Sequence, residues 1–137
     1  MSNLINISEG SSLALHSMAL IAKKTPERLN VKYLAKKLEA SEAHLAKVFQ
    51  QLSRSGLVKS MRGPNGGFIL NKPADEITLL EIHEIIEGKV ELHTCPLGKN
   101  YCPFSDCIFG KNLNTITEEI YNTLKTKKLS VFAKELK

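Results

Sequence analysis

The chain has 137 residues, of which 42% are hydrophobic and 24% charged, enough for one compact domain with a modest core or one domain with a dimerising arm. No apolar run approaches the roughly 20 residues that cross a bilayer, so a membrane-spanning protein is excluded. The net charge of +5 is uneven: residues 1–72 carry eleven Lys and Arg against four Asp and Glu, while residues 73–137 carry eight against ten. A basic first half suits a surface that meets phosphates, although solvated lysines are common on any surface.

The first predicted helix follows Ser11 and Ser12, which precede good helix formers over residues 13–22. It is expected to end before Pro26. The residues ahead of it, from Met1 to Ile5, lack a basic segment and a cleavage site. The sequence therefore predicts a cytoplasmic rather than a secreted protein.

Two further helices are predicted, joined by a short turn. The first covers residues 31–38, and Ser41 is a good N-cap for the second, which runs to about Ser55 and stops at Gly56. The second helix has a buried face at the three-and-four period, made of Leu45, Val48, Phe49 and Leu52.

A β-hairpin is predicted next, with residues 57–62 and 68–71 flanking the glycine-rich turn at 63–67. Two helices joined by a three-residue turn and followed by a hairpin form the order of a winged helix-turn-helix. The predicted fold class is therefore mainly α with a small β-hairpin, and residues 1–75 are the expected DNA-binding domain.

Residues 76–137 are expected to form a sensing and dimerisation region. Thr78 and Glu81 fit a capping box that opens a helix ended by Gly88. A long amphipathic helix is predicted from Ile108 onward, and it is too long to be a lid on so small a core. Pairing with a second copy of the chain is the favoured alternative. Its apolar stripe is Phe109, Leu113, Ile116, Ile120 and Leu124.

The outer face of the third helix is the candidate for reading DNA, because the second helix of such a pair lies in the major groove. Lys and Gln donors fit guanine and adenine edges, and Ala can meet a thymine methyl. The alternative is that these side chains only solvate a helix, and His44 could equally be a packing residue. Arg62 is placed to enter the minor groove, and the glycine-rich turn is costly unless its backbone must approach something closely. The candidates for DNA contact are Ser41, Ala43, His44, Lys47, Gln51, Arg62, Asn65 and Gly66.

All three cysteines, Cys95, Cys102 and Cys107, lie in one thirteen-residue stretch that Pro96 and Pro103 keep irregular. An odd number of thiols argues against a closed disulfide framework. Three soft ligands that can converge on one point suit an iron–sulfur cluster or zinc, and both normally want a fourth donor.

Several motifs together resemble the IscR/NsrR type of winged-helix transcription regulator. They are Leu13-Ala14-Leu15, Leu34-Ala35, Leu45 through Phe49, Ser55-Gly56-Leu57-Val58 and, most specifically, Arg62-Gly63-Pro64-Asn65-Gly66-Gly67-Phe68. The helix after Thr78, the three-cysteine loop and the closing amphipathic helix follow in that family's order. The resemblance therefore covers nearly the whole chain.

The resemblance implies a homodimer whose long C-terminal helices cross and which binds double-stranded DNA at a pseudo-palindromic operator, with repression the expected direction. In many members an iron–sulfur cluster senses iron–sulfur supply, nitric oxide or redox state. On this resemblance Cys95, Cys102 and Cys107 hold a cluster, either [2Fe-2S] or [4Fe-4S].

The fourth cluster ligand stays open. Some relatives use a histidine three residues after the last cysteine, where this chain has Gly110, and others use a carboxylate of the first helix, at the position of Ser12. Ser12 could ligate as an alkoxide, cap the helix or lie on the surface. Glu9 and His93 are further candidates, whereas a lone His16 on an apolar helix is more typical of packing.

Two alternatives to cluster sensing are kept. In the first, the same fold binds DNA and the three thiols form a disulfide or carry a small thiol modifier. In the second, the chain is a small metalloenzyme or a zinc-dependent interaction module, which would explain the cysteines but not the wing. No catalytic triad, carboxylate pair, phosphate loop or His-x-x-x-His pair stands out, so the sequence predicts that the protein is not an enzyme.

Overall fold

The computed structural model describes residues 5–92, 95–110 and 112–134. The elements in chain order are α1 (Glu9–Lys24), α2 (Val31–Leu38), α3 (Glu42–Ser55), β1 (Val58–Met61), β2 (Gly67–Leu70), a 3-10 turn (Ala74–Glu76), α4 (Leu79–Glu87), α5 (Asn112–Thr126) and α6 (Leu129–Ala133). The two strands form one antiparallel hairpin. The mainly α fold class with a small hairpin is confirmed. None of the described helices is long and apolar enough to cross a membrane.

Helix α1 begins earlier than the sequence predicted. Its N-cap is Ser8, whose hydroxyl oxygen accepts the Ser11 backbone N–H at 3.0 Å. Ser11 and Ser12 therefore lie inside the helix, and the capping role considered for Ser12 belongs to Ser8. Glu9 in the first turn adds a negative charge where the positive end of the helix dipole favours it.

The predicted bounds of α2 and α3 are confirmed, and each helix has a recognisable cap. The Asn30 side chain accepts the Tyr33 N–H at 2.7 Å at the start of α2. Ser41 accepts the His44 N–H at 3.3 Å at the start of α3. Gly56, with a φ of 86°, ends α3 in the left-handed region that glycine adopts without strain.

The hairpin is anchored to the helical body on two sides. Phe68 of β2 exchanges two backbone hydrogen bonds with Leu29, at 2.8 and 3.3 Å, so the connection between α1 and α2 extends the hairpin. On the other side the Phe68 ring stacks on the ring of Phe49 from α3, with centroids 4.4 Å apart. The wing and the third helix are therefore held in one fixed relation.

The C-terminal part differs from the single long helix that was predicted from Ile108. Residues 107–110 form a turn in which Gly110 has a φ of 67°, so α5 begins only at Asn112. No residue of α5 is fully buried. The unpredicted α6 does fold back: Leu129 is fully buried, and its N–H donates to the Ile77 carbonyl at 2.8 Å.

One continuous core holds these elements together. It contains apolar side chains of α1, α2 and α3, such as Met18, Leu34 and Phe49, packed in the same cluster as Ile82 of α4 and Leu129 of α6. The core thus continues across residue 75, and the division of the chain into residues 1–75 and 76–137 stays a prediction about function.

Candidate nucleic-acid interface and cysteine loop

Helix α3 presents one polar, solvent-facing side. Its apolar residues Leu45, Val48, Phe49 and Leu52 are buried, which turns the opposite face outward. The exposed residues at or on α3 are Ser41, Glu42, Ala43, Ala46, Lys47, Gln50, Gln51, Arg54 and Ser55. Of the predicted DNA contacts on this helix, Ser41, Ala43, Lys47 and Gln51 therefore lie together on an accessible surface.

His44 lies apart from this group, because its ring is turned toward α1. Its side chain is only 36% exposed, and its Nδ1 lies 3.8 Å from a carboxylate oxygen of Glu9. A Cβ added to Gly10 would lie 3.6 Å from the His44 Nε2. This placement favours the packing role over DNA contact, which stays a prediction.

The wing presents Arg62 and Asn65 to solvent, while Gly66 is half-buried. The glycines at its tip have an internal reason to be glycine. A Cβ on Gly66 would lie 2.6 Å from the Met61 carbonyl oxygen, and a Cβ on Gly67 would lie 2.8 Å from the Leu29 backbone. The chain's own packing accounts for these two glycines, so they are not evidence that DNA comes close.

The structure adds Arg28 to the candidate surface. An open hollow of about 430 Å³ separates the connection between α1 and α2 from the wing tip. Arg28, Asn30, Asn65 and Gly66 line it together with Glu27 and two prolines. Sequence reasoning missed Arg28 because only the backbone pairing of Leu29 with Phe68 brings this connection beside the wing.

The cations of the first half of the chain are almost all free to face a polyanion. Those exposed are Lys23, Lys24, Arg28, Lys32, Lys36, Lys37, Lys47, Arg54, Lys59 and Arg62. Lys72 instead donates to the Glu81 carboxylate at 3.2 Å. The exposed cations give this half a positive potential that attracts phosphates over about a Debye length.

In the cysteine loop, Cys95 is half-buried, and Cys102 and Cys107 are exposed. Hydrogen bonds from the backbone N–H groups of Lys99, Leu97 and Gly98 favour the thiolate and lower the pKa of Cys95 below its ordinary value. Cys95 and Cys107 open similar turns, each closed by a glycine N–H that donates to the cysteine carbonyl at 2.9 Å.

The described conformation does not bring the three thiols to one point. Within residues 5–92, 95–110 and 112–134, no three Cys, His, Asp or Glu side chains are grouped closely enough to hold a metal ion. The donor chemistry nevertheless fits iron or zinc, since three thiols lie in one irregular loop and backbone N–H groups favour the thiolate of one of them. The loop buries almost nothing, so the binding energy of a metal centre is what would close it.

The candidates for the fourth ligand are scattered. Ser12 is half-buried on α1, and Glu9 lies against His44. His16 is exposed, with its Nδ1 2.6 Å from the Ser12 carbonyl oxygen. His93 lies outside the described residues, and Gly110 offers no side chain. The fourth ligand stays open.

An exposed third helix beside a hairpin wing that is docked on it defines a winged helix-turn-helix protein. The chain belongs to the Rrf2 family: the family's sequence model, described as an iron-dependent transcriptional regulator, matches residues 7–135. The chain is accordingly a transcriptional regulator and not an enzyme.

Individual relatives agree with this assignment. The chain is 37% identical over 83 residues to the transcriptional regulator IscR of Cereibacter sphaeroides, covering 60% of this chain and 54% of that protein. It is 34% identical over 103 residues to the regulator NsrR of Oceanobacillus iheyensis, covering 74% and 70%. The solved structure of CymR, the global cysteine regulator of Bacillus subtilis, superimposes with a TM-score of 0.76 and 26% identity over 98% of this chain and 100% of that one.

Proposed function

We propose that this regulator is a cytoplasmic homodimer that represses transcription from a pseudo-palindromic operator, and that it senses iron–sulfur supply, nitric oxide or redox state through a cluster held by Cys95, Cys102 and Cys107. The observation that supports this best is the combination of an exposed α3 and wing with a three-cysteine loop leading directly into α5. The family's description as iron-dependent supports the choice of metal.

DNA affinity is expected to come mainly from cations that neutralise phosphates, with base contacts adding about 1–3 kcal/mol of discrimination each. Lys47 on the outer face of α3 and Arg62 at the wing are the two cations placed for the major and minor groove, and Arg28 lies at the edge of the wing. In a dimer, two such surfaces meet half-sites about 34–36 Å apart.

Arg62→Ala and Lys47→Ala are each expected to weaken binding to a duplex selected from genomic fragments, because each removes a cation from the DNA-facing surface. The slope of log affinity against log salt is negative, and loss of one phosphate contact makes it less steep by roughly 0.9. Fluorescence anisotropy at several salt concentrations measures both quantities.

Lys89→Ala is the matched control, since Lys89 is an exposed cation just beyond α4 and outside this surface. It should leave affinity and salt slope unchanged. Saturable, salt-sensitive binding that all three variants retain in full would place the DNA-binding surface elsewhere on the chain.

The cysteine loop is connected to the proposed dimer contact by a short path. Cys107 opens the turn that ends at Gly110, and α5 begins at Asn112. A change in the conformation of the loop would therefore change the direction in which α5 leaves it. Because α5 is the proposed dimer contact, the distance between the two DNA-reading α3 helices, here called recognition helices, would change as well. A regulator of this kind switches if its two states differ in that spacing.

Anaerobically purified protein is expected to be coloured and to contain iron and acid-labile sulfide in equal amounts. Cys95→Ser, Cys102→Ser and Cys107→Ser should each lose most of the iron, because an alcohol is a poor substitute for a thiolate. Ser105→Ala in the same loop is the control and should keep it. Chemical assays of iron and acid-labile sulfide, together with the visible absorbance spectrum, measure the cluster content of each protein.

A colourless protein that retains only free thiols would instead support the second candidate, a thiol-based redox regulator of the same fold. Two observations favour that alternative: the thiols are not gathered around a centre in the described residues, and CymR, described as a cysteine regulator, shares the fold. Mass spectrometry after mild oxidation would then find a disulfide or a mixed disulfide among the three cysteines.

A further inference from the structure

The first turn of α1, residues 8–11, contacts the start of the recognition helix α3. Glu9 reaches the His44 Nδ1 at 3.8 Å, and Gly10 lies so close that a Cβ there would contact the His44 Nε2 at 3.6 Å. An exposed pair such as Glu9 and His44 contributes little by itself. The close approach of the two helices at Gly10 is the stronger constraint.

The same turn is fastened to α4 on its other side. The Ser11 hydroxyl is fully buried and lies 2.6 Å from the His83 Nδ1. The Ser8 hydroxyl donates to the Glu87 carboxylate. A Cβ on Gly10 would also lie 3.3 Å from the Ile86 side chain, which is closer than ordinary contact. Each of residues 8–11 therefore contacts a side chain of α3 or α4.

His83 connects residues 8–11 to the sensing half of the chain. It lines an apolar groove of about 340 Å³ together with Leu113, Ile116 and Ile120 of α5. The groove therefore has α5 on one wall and, on another, a side chain whose ring nitrogen is bonded to the buried Ser11. No residue of α3 lines this groove, whereas His83 both lines it and is hydrogen-bonded to Ser11.

We infer that Glu9, Ser11 and His83 are positioning residues that transmit the placement of α4 and α5 to the start of the recognition helix. This inference rests on the proposed DNA binding through α3. It assigns His44 the role of receiving this contact rather than of reading a base. The Ser11–His83 hydrogen bond suits such a role, because Ser11 is fully buried and leaving its hydroxyl unsatisfied would be costly.

Ser11→Ala tests the inference, because it removes the hydroxyl and leaves the His83 nitrogen without that partner. Amides of residues 43–45 in α3 should exchange with deuterium faster, and operator affinity should fall by roughly 2- to 30-fold, the range that corresponds to coupling energies of this kind. Iron content should stay at the wild-type level, since neither a cysteine nor a candidate for the fourth ligand is changed.

Ile77→Val is the matched control for lost stability. Ile77 is fully buried but lies before α4, next to α6, and outside the contacts of residues 8–11. This variant should unfold at a lower temperature while exchange at residues 43–45 and operator affinity, both measured well below that temperature, remain unchanged. Equal effects of Ser11→Ala and Ile77→Val on exchange and affinity would overturn the inference, because stability alone would explain them.

A double-mutant cycle separates positioning from direct DNA contact by His44. If His44 acts through Glu9, then His44→Gln should cost affinity in the wild-type background and little more in the Glu9→Gln background. Additive losses would show that His44 contacts DNA by itself and would overturn its assigned role.

The hydrogen-exchange measurement needs no DNA. It therefore tests the positioning role of residues 8–11 independently of the proposed DNA binding. Absence of saturable DNA binding by the wild-type protein would remove the proposed function, and the exchange result would still decide whether residues 8–11 hold the start of α3. Normal DNA binding with unaltered exchange in Ser11→Ala would remove only the inference.

Discussion

Phe49→Ala is expected to lower the free energy of unfolding by about 3–5 kcal/mol, the largest stability loss foreseen for a single substitution in this chain. Phe49 is 1% exposed and stacks on Phe68 of the wing with an interplanar angle of 28°. The substitution removes a buried ring, leaves a cavity under α3 and takes away the contact that fixes the wing to that helix. Operator affinity should therefore fall as well.

Urea denaturation followed by circular dichroism measures the loss. Phe104→Ala is the control, because it makes the same change at a side chain in the cysteine loop that is 61% exposed, and it should shift stability by less than about 0.5 kcal/mol. If the two variants unfolded at the same urea concentration, the stacked pair would not be the centre of this core.

Helices α2, α3 and α4 were predictable because their signals are local. Ser41, Gly56 and Thr78 are residues whose chemistry suits a helix end, and each ends or begins a helix where the sequence places it. The start of α1 was misplaced because Ser8, Ser11 and Ser12 are all acceptable caps, and the helix was predicted to start after the last two. In the structure Ser8 is the cap, and the first turn of the helix packs against α3 and α4.

The C-terminal elements depended on contacts between distant residues and were predicted less well. Helix α6 is five residues long, too short to be stable on its own, and it forms because Leu129 enters the core beside Ile77. The start of α5 was misplaced because Ile108 and Phe109 continue the apolar spacing, whereas Gly110 in the left-handed region stops the helix from extending back to them.

The candidate DNA surface was partly predictable. The outer face of α3 follows from helical periodicity, and the wing follows from its glycine-rich turn. Periodicity does not say which neighbour a boundary residue such as His44 faces, and the glycine pattern does not separate internal crowding from contact with DNA. Arg28 lies beside this surface because Leu29 pairs with Phe68, and the local sequence does not predict a pairing between residues so far apart in the chain.

Ile116→Asp combined with Ile120→Asp is expected to convert the proposed dimer to monomers and to abolish binding to a two-half-site operator. Helix α5 has no fully buried residue, yet Ile116, 44% exposed, and Ile120 both line its apolar groove. An apolar face left open in one copy is what a second copy would cover. Two carboxylates buried there without partners would oppose association strongly.

Analytical ultracentrifugation measures the change directly. Asn122→Asp, at an exposed position on the same helix, adds a carboxylate away from the groove and should leave the dimer intact. Because the groove residues contribute little burial within one chain, circular dichroism should show folded monomers. A folded double variant with an unchanged dimer mass would mean that α5 does not form the two-fold contact, and the spacing of the recognition helices would then have to be set by another surface.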